Sequence, residues 1–174
     1  MGSIVNRLTT TSIKLSDLAK ALVHGASFRP GILVGGKGAA AWTEQQVFAL
    51  DIEHSHTIEA AYEKSISLGL VPCFIYTSFS HTEEDHHFRM VYCADRVITD
   101  GEIRDKLQLA LMNAIGGCDP HCTDRNRVFF GGSSGTVLYP DYDARLDVDE
   151  VISKYYRPPE KPVKIKSTIK RLPT

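Results

Sequence analysis

The chain has 174 residues, 43% of them hydrophobic and 24% charged, with a net charge of −1. This is the composition of one globular domain with its own core, and it excludes disorder of the whole chain. The near-zero charge excludes a global basic field, so any contact with a polyanion has to be local.

Met1 to Asn6 offers no charged segment followed by an apolar block, and no apolar run is long enough for a bilayer. A cytoplasmic protein without membrane contact is the expectation, with Cys73, Cys93, Cys118 and Cys122 as thiols. Ser16 to Val23 reads as a short helix with Leu18, Ala19 and Leu22 on one side. Arg29-Pro30-Gly31 breaks the chain, Ile32 to Val34 is a short apolar run, and Gly35-Gly36-Lys37-Gly38 is a turn. Val47 to Glu53 is a strand apolar enough to be central. Thr57 caps a helix to about Leu68, stopped by Gly69. Pro72 to Ser78 is a second strand, Phe79 to His87 a polar loop, and Phe88 to Cys93 a third strand. Thr99-Asp100-Gly101-Glu102 is a capping box for a helix through Leu107, Leu111 and Ile115, stopped by Gly116-Gly117. Arg127 to Phe130 is a fourth strand.

The order is βαββαβ, an α/β (α+β) arrangement of the RRM-like, ferredoxin-like kind, which predicts an antiparallel sheet in the order 4-1-3-2. Residues 1–150 form the domain. Residues 151–174 read as a tail or linker: from Arg157 onward they hold six basic residues, one acidic residue and four prolines.

That topology gathers polar residues at one sheet edge. Asp51 and Glu53, two apart on a strand, point to the same face. Paired carboxylates repel unless a cation lies between them, and hard oxygen ligands suit Mg²⁺ or Mn²⁺. With Asp119 they would hold two divalent ions about 4 Å apart, as nucleotidyl transfer uses. Ser78, Ser80 and His81 are candidate donors to phosphate oxygens, and Arg89 and Arg127 candidate clamps for a triphosphate. The plainer alternatives are a solvated strand end for Asp51 and Glu53 and ordinary ion pairs for the arginines. Gly131-Gly132-Ser133-Ser134-Gly135 reads either as a backbone cradle for phosphate or as a flexible connection.

These residues resemble motifs of the archaeo-eukaryotic primase (AEP) superfamily, in the phage, plasmid and mobile-element primase-polymerase type. Phe48-Ala49-Leu50-Asp51-Ile52-Glu53 is similar to its first motif. Tyr76-Thr77-Ser78-Phe79-Ser80-His81 with Phe88-Arg89-Met90-Val91 is similar to the second, although Phe79 stands where the Ser-x-His pattern has serine. Cys118-Asp119-Pro120 resembles the third, and Asp124 to Gly132 the arginine-containing strand after it. The resemblance implies an AEP fold with a small N-terminal α/β unit. It implies template-directed transfer from dNTPs or NTPs to a 3′-hydroxyl, two divalent ions, a single-stranded or primed DNA template, a nucleotide-binding His81, and a helicase beyond the linker.

Three other readings use the same residues. His54-Ser55-His56 with Tyr62 or Tyr76 resembles a rolling-circle (HUH-type) nickase. Cys118, His121 and Cys122, with His86 or His87, are candidate zinc ligands. Phe48, Phe88 and Tyr92 would serve a non-catalytic RRM-like RNA binder.

Overall fold

The computed structural model describes residues 8–159. The described residues form four α-helices and seven strands. In order these are α1 (Leu15–Val23), β1 (Ser27–Phe28), β2 (Gly31–Leu33), β3 (Trp42–Glu53), α2 (Ile58–Ser67), β4 (Phe74–Thr77), β5 (His87–Ile98), α3 (Gly101–Ile115), β6 (Phe129–Phe130), β7 (Val137–Leu138) and α4 (Val148–Tyr155). No helix among them is long and apolar enough to cross a membrane.

Five strands make one antiparallel sheet in the order β2-β3-β5-β4-β7. β3, β5 and β4 are the expected first, third and second strands, in the expected 1-3-2 arrangement. The fourth departs from expectation. Its segment pairs with β1 in a separate two-stranded sheet, and β2 takes the place beside β3. The physical reason lies at residues 118–120. The chain leaving α3 touches β3 through a single Ile52–Cys118 bridge. Pro120, with no N–H to continue a ladder, then opens a 3₁₀ turn over Pro120–Thr123. The neighbouring segment β2, close in sequence, fills the edge instead.

Both faces of the sheet are covered, which explains why β3 is buried continuously from Phe48 to Ile52. On one face Phe48, Leu50, Ile52, Met90 and Tyr92 pack with Leu107, Leu111 and Ile115 of α3 and with residues of α2 and α4. Full burial of Phe48, Leu50 or Met90 is each worth about 1.5–3 kcal/mol. On the other face Ala49, Phe74, Tyr76 and Val91 meet Leu18, Ala19 and Leu22 of α1. The aromatic platform needed by an RNA-binding sheet is therefore missing: Phe48, Phe88 and Tyr92 are all completely buried.

The helix starts follow their capping chemistry. The Thr57 side chain accepts from Ala60 N–H. At α3 the cap is Asp100 rather than Thr99, accepting from the N–H groups of Glu102 and Ile103. The α4 helix, with its Asp147 cap and Val148, Val151, Ile152 and Tyr155 at helical spacing, was not among the expected elements, and it crosses the expected boundary at residue 150. Tyr155 Oη donates to Leu68 O at 2.7 Å, and Asn113 donates to the carbonyls of Tyr155 and Arg157, so the packed domain runs at least that far. The remainder of the expected tail, residues 160–174, lies outside the described residues.

Gly131 explains part of the glycine cluster. A Cβ there would lie 1.9 Å from the Ala26 carbonyl oxygen and 2.3 Å from that of Leu22, and the next N–H, of Gly132, donates to Leu22 O. The glycine lets this segment pass over the end of α1. Gly131→Ala is expected to cost about 2 kcal/mol or more, read as a lower denaturation midpoint.

Candidate active site

Antiparallel register builds the centre of the site. Asp51 on β3 lies opposite Arg89 on β5, and Arg89 opposite Tyr76 on β4, so the three form one row across the sheet on the α1 side. Asp51 is 3% exposed and Arg89 9%. Arg89 Nε stands 3.1 Å from Asp51 Oδ1, Nη2 donates to Oδ2 at 3.3 Å, and Nη1 donates to Phe130 O at 2.5 Å.

The segment after α3 brings in the next carboxylate. Asp119 N–H donates to Asp51 O at 2.9 Å, which fixes the two aspartates on touching backbone. Arg127 Nη2 bridges them, 3.2 Å from Asp51 Oδ2 and 2.7 Å from Asp119 Oδ2. Asp119 Oδ1 accepts from His121 N–H, capping the 3₁₀ turn. Arg89 and Arg127 are thus engaged in the ion pairs that the plainer alternative expected.

Glu53 lies two residues beyond Asp51 on the same strand, half exposed, and faces a different set of partners. Its register partner is His87, and Glu53 Oε1 is 3.8 Å from His87 Nδ1. Among the described residues, ligand atoms of Glu53, His54 and His87 lie within 4.8 Å of one another; neither Asp51 nor Asp119 joins that group. The structure thus joins Asp51 directly to Asp119 and sets Glu53 among histidines.

The polar loop closes one side. Ser78 N–H donates to His87 O, and Ser78 Oγ is 3.4 Å from Ser80 Oγ. His81 Nδ1 accepts from His87 N–H at 3.2 Å, which leaves Nε2 as the ring's N–H donor. Desolvation, with His86 and His87 close by, holds the His81 pKa below the usual histidine value. His81 is therefore a neutral donor at pH 7. Phe79, between the two serines, is 80% exposed.

A network that sequence reading missed holds the loop carrying Asp119 and Arg127. Arg104 on α3, almost wholly buried, donates to the carbonyls of Thr123 and Asp124 and, through Nε, to Gln45 Oε1. Arg125 turns away from the site to Asp105, over the Trp42 ring.

Other sequence candidates are not brought together. Cys118 is a half-buried thiol and Cys122 a buried one, pushed up by desolvation to about 12 and about 11. Cys122 Sγ accepts from Asp51 N–H, while His121 is exposed beside Asp124. Tyr76 is wholly buried, with its phenol held above the usual range by desolvation, and Tyr62 is stacked on Tyr139.

The buried side-chain polar atoms that lack a hydrogen-bond partner, among the described residues, are Asp51 Oδ1, Tyr76 Oη, His87 Nδ1, Arg89 Nε and Arg127 Nε. Asp51 Oδ1 and Arg89 Nε are within ion-pair distance of each other, but not aligned for a hydrogen bond. Four of the five belong to the row of Tyr76, Arg89 and Asp51 with Arg127; the fifth, His87 Nδ1, faces Glu53. Unsatisfied buried polar groups are costly.

No protein-family model matches the chain, and no curated protein does. Among solved structures, the AEP domain of the primase-polymerase (PrimPol) of cyanophage S-2L matches with a TM-score of 0.58 at 13% identity, covering 88% of this chain and 84% of that one. At that identity the likeness is one of fold: four helices around antiparallel sheets, in the manner of an AEP domain.

Proposed function

We propose that this domain is a primase-polymerase that joins nucleotides on a DNA template. The observation that carries the reading is the pair of aspartates, Asp51 and Asp119, held on touching backbone and bridged by a single Arg127 nitrogen. It is supported by the fold likeness to a PrimPol domain and by the motif order read from the sequence.

The donor set fits divalent ions. Two carboxylates converge with a cation, the guanidinium of Arg127, already between them, and Asp51 keeps one oxygen without a hydrogen-bond partner. Asp51, Asp119 and Glu53 would hold Mg²⁺ or Mn²⁺, which would supply activation of a 3′-hydroxyl and charge neutralisation at the triphosphate. Arg127, partly exposed, is placed to exchange the carboxylates for phosphate oxygens. Arg89 is held too firmly by Asp51 and Phe130 O to swing far, and its part is to fix Asp51. His81, with Ser78 and Ser80, donates to phosphate. His81→Ala is expected to raise the apparent KM for the incoming nucleotide about tenfold with little change in kcat, the signature of lost binding.

The test is incubation with primed DNA and all four nucleotides, followed by denaturing separation. Extended primer is expected. DNA left covalently on the protein would instead favour the nickase reading.

A further inference from the structure

Beside the aspartate pair lies a second cluster, built from nitrogen as well as oxygen. We propose that Glu53, His54 and His87 form a binding site for one transition-metal ion such as Zn²⁺, with Asp85 as the carboxylate that orients both imidazoles. The proposal does not rest on nucleotidyl transfer.

Asp85 spends both oxygens on the two rings. His54 Nδ1 donates to Oδ1 at 2.8 Å and His87 Nε2 donates to Oδ2 at 3.0 Å. A carboxylate is acceptor only, so each ring places its N–H there and turns a lone pair the other way. Carboxylates in this role fix tautomer and ring orientation behind metal-bound histidines.

One further observation points to a ligand. His87 is 7% exposed, yet its Nδ1 has no hydrogen-bond partner. It faces Glu53 Oε1 at 3.8 Å, beyond hydrogen-bond length, so a proton on Nδ1 is not shared with Glu53. A nitrogen lone pair opposite a carboxylate is repulsive without a cation between them. His54 is held in the left-handed region at φ 58°, a conformation uncommon outside glycine and one that surrounding structure must enforce. That turn at the end of β3 carries its ring to the edge of His87, with centroids 4.5 Å apart.

Two imidazoles and one carboxylate favour Zn²⁺ or Co²⁺ over Mg²⁺ and leave positions open for water or an incoming oxygen. The aspartate pair offers oxygen alone and has the opposite preference.

The test uses the full chain stripped of metal and titrated with Co²⁺, read by its visible absorption. One equivalent per chain is expected, displaced by Zn²⁺ but not by excess Mg²⁺. His54→Ala, on an exposed side chain whose loss leaves thermal melting unchanged, is expected to weaken Co²⁺ binding at least about 100-fold. Asp85→Asn is expected to weaken it about 10–100-fold. Asp119→Asn is expected to leave it unchanged, which separates this site from the aspartate pair. Absence of Co²⁺ uptake, displacement by Mg²⁺ as readily as by Zn²⁺, or uptake untouched by His54→Ala and His87→Ala would each overturn the proposal. Because the readout is metal on the protein, it succeeds or fails independently of any polymerase activity.

Discussion

Asp119→Asn is expected to lower primer extension at least about a thousandfold while leaving the fold intact. Asparagine keeps the shape and the side-chain oxygen that caps the turn by accepting from His121 N–H. Arg127 loses one partner, but it is partly exposed and retains Asp51. What disappears is one of two negative charges placed to hold a divalent ion, an interaction worth several kcal/mol at a reacting phosphate. Melting temperature and extension rate, measured on the same preparation, check this. A variant with more than a tenth of the parental rate contradicts the role.

Asp51→Ala is expected to behave differently, losing both activity and stability. Taken from sequence alone, an aspartate closing a strand is a residue that can be removed at little structural cost. In the fold its side chain is 4% exposed and paired with an Arg89 side chain only 10% exposed. Removing it leaves Arg89 charged and buried, with the Phe130 carbonyl as its remaining polar partner. Breaking one half of such a pair costs about 3–5 kcal/mol, which in a domain of this size lowers Tm by roughly 10 °C. The combined change Asp51→Leu with Arg89→Met removes both charges and fills the space. It is expected to recover most of the stability and none of the activity. A single Asp51→Ala variant that melts with the parent contradicts the burial argument; an active double variant contradicts the catalytic one.

The parts of the fold legible in the sequence were those with a long period. β3 and β5 announce themselves by continuous apolar runs, and α2 and α3 by capping residues and closing glycines. Once β3 and β5 are antiparallel neighbours, the facing of Asp51 with Arg89 and of Glu53 with His87 follows from register. That facing was not drawn from the sequence, because the alignment of the two strands was not fixed. β1, β2, β6 and β7 are two or three residues long and carry no periodic signal, so the fourth strand was assigned to the wrong sheet. α4 carries an Asp147 cap and the helical spacing of Val148, Val151, Ile152 and Tyr155, signals passed over when residues from 151 onward were read as a tail. The histidine cluster was illegible for another reason: Asp85 lies in a polar loop whose path no local pattern specifies. Tyr76 and Arg104 were hidden by a different rule, since a polar residue in an apolar element gives no sign of which groups it will meet.

The central claim is that this domain copies a template at the Asp51–Asp119 site. It is tested most directly by supplying one nucleotide at a time opposite a known template base, with Mg²⁺ or Mn²⁺ and with the ions chelated. The account predicts extension only by the complementary nucleotide and only with the ion present. Failure to extend with any nucleotide, or addition regardless of the template base, would contradict it.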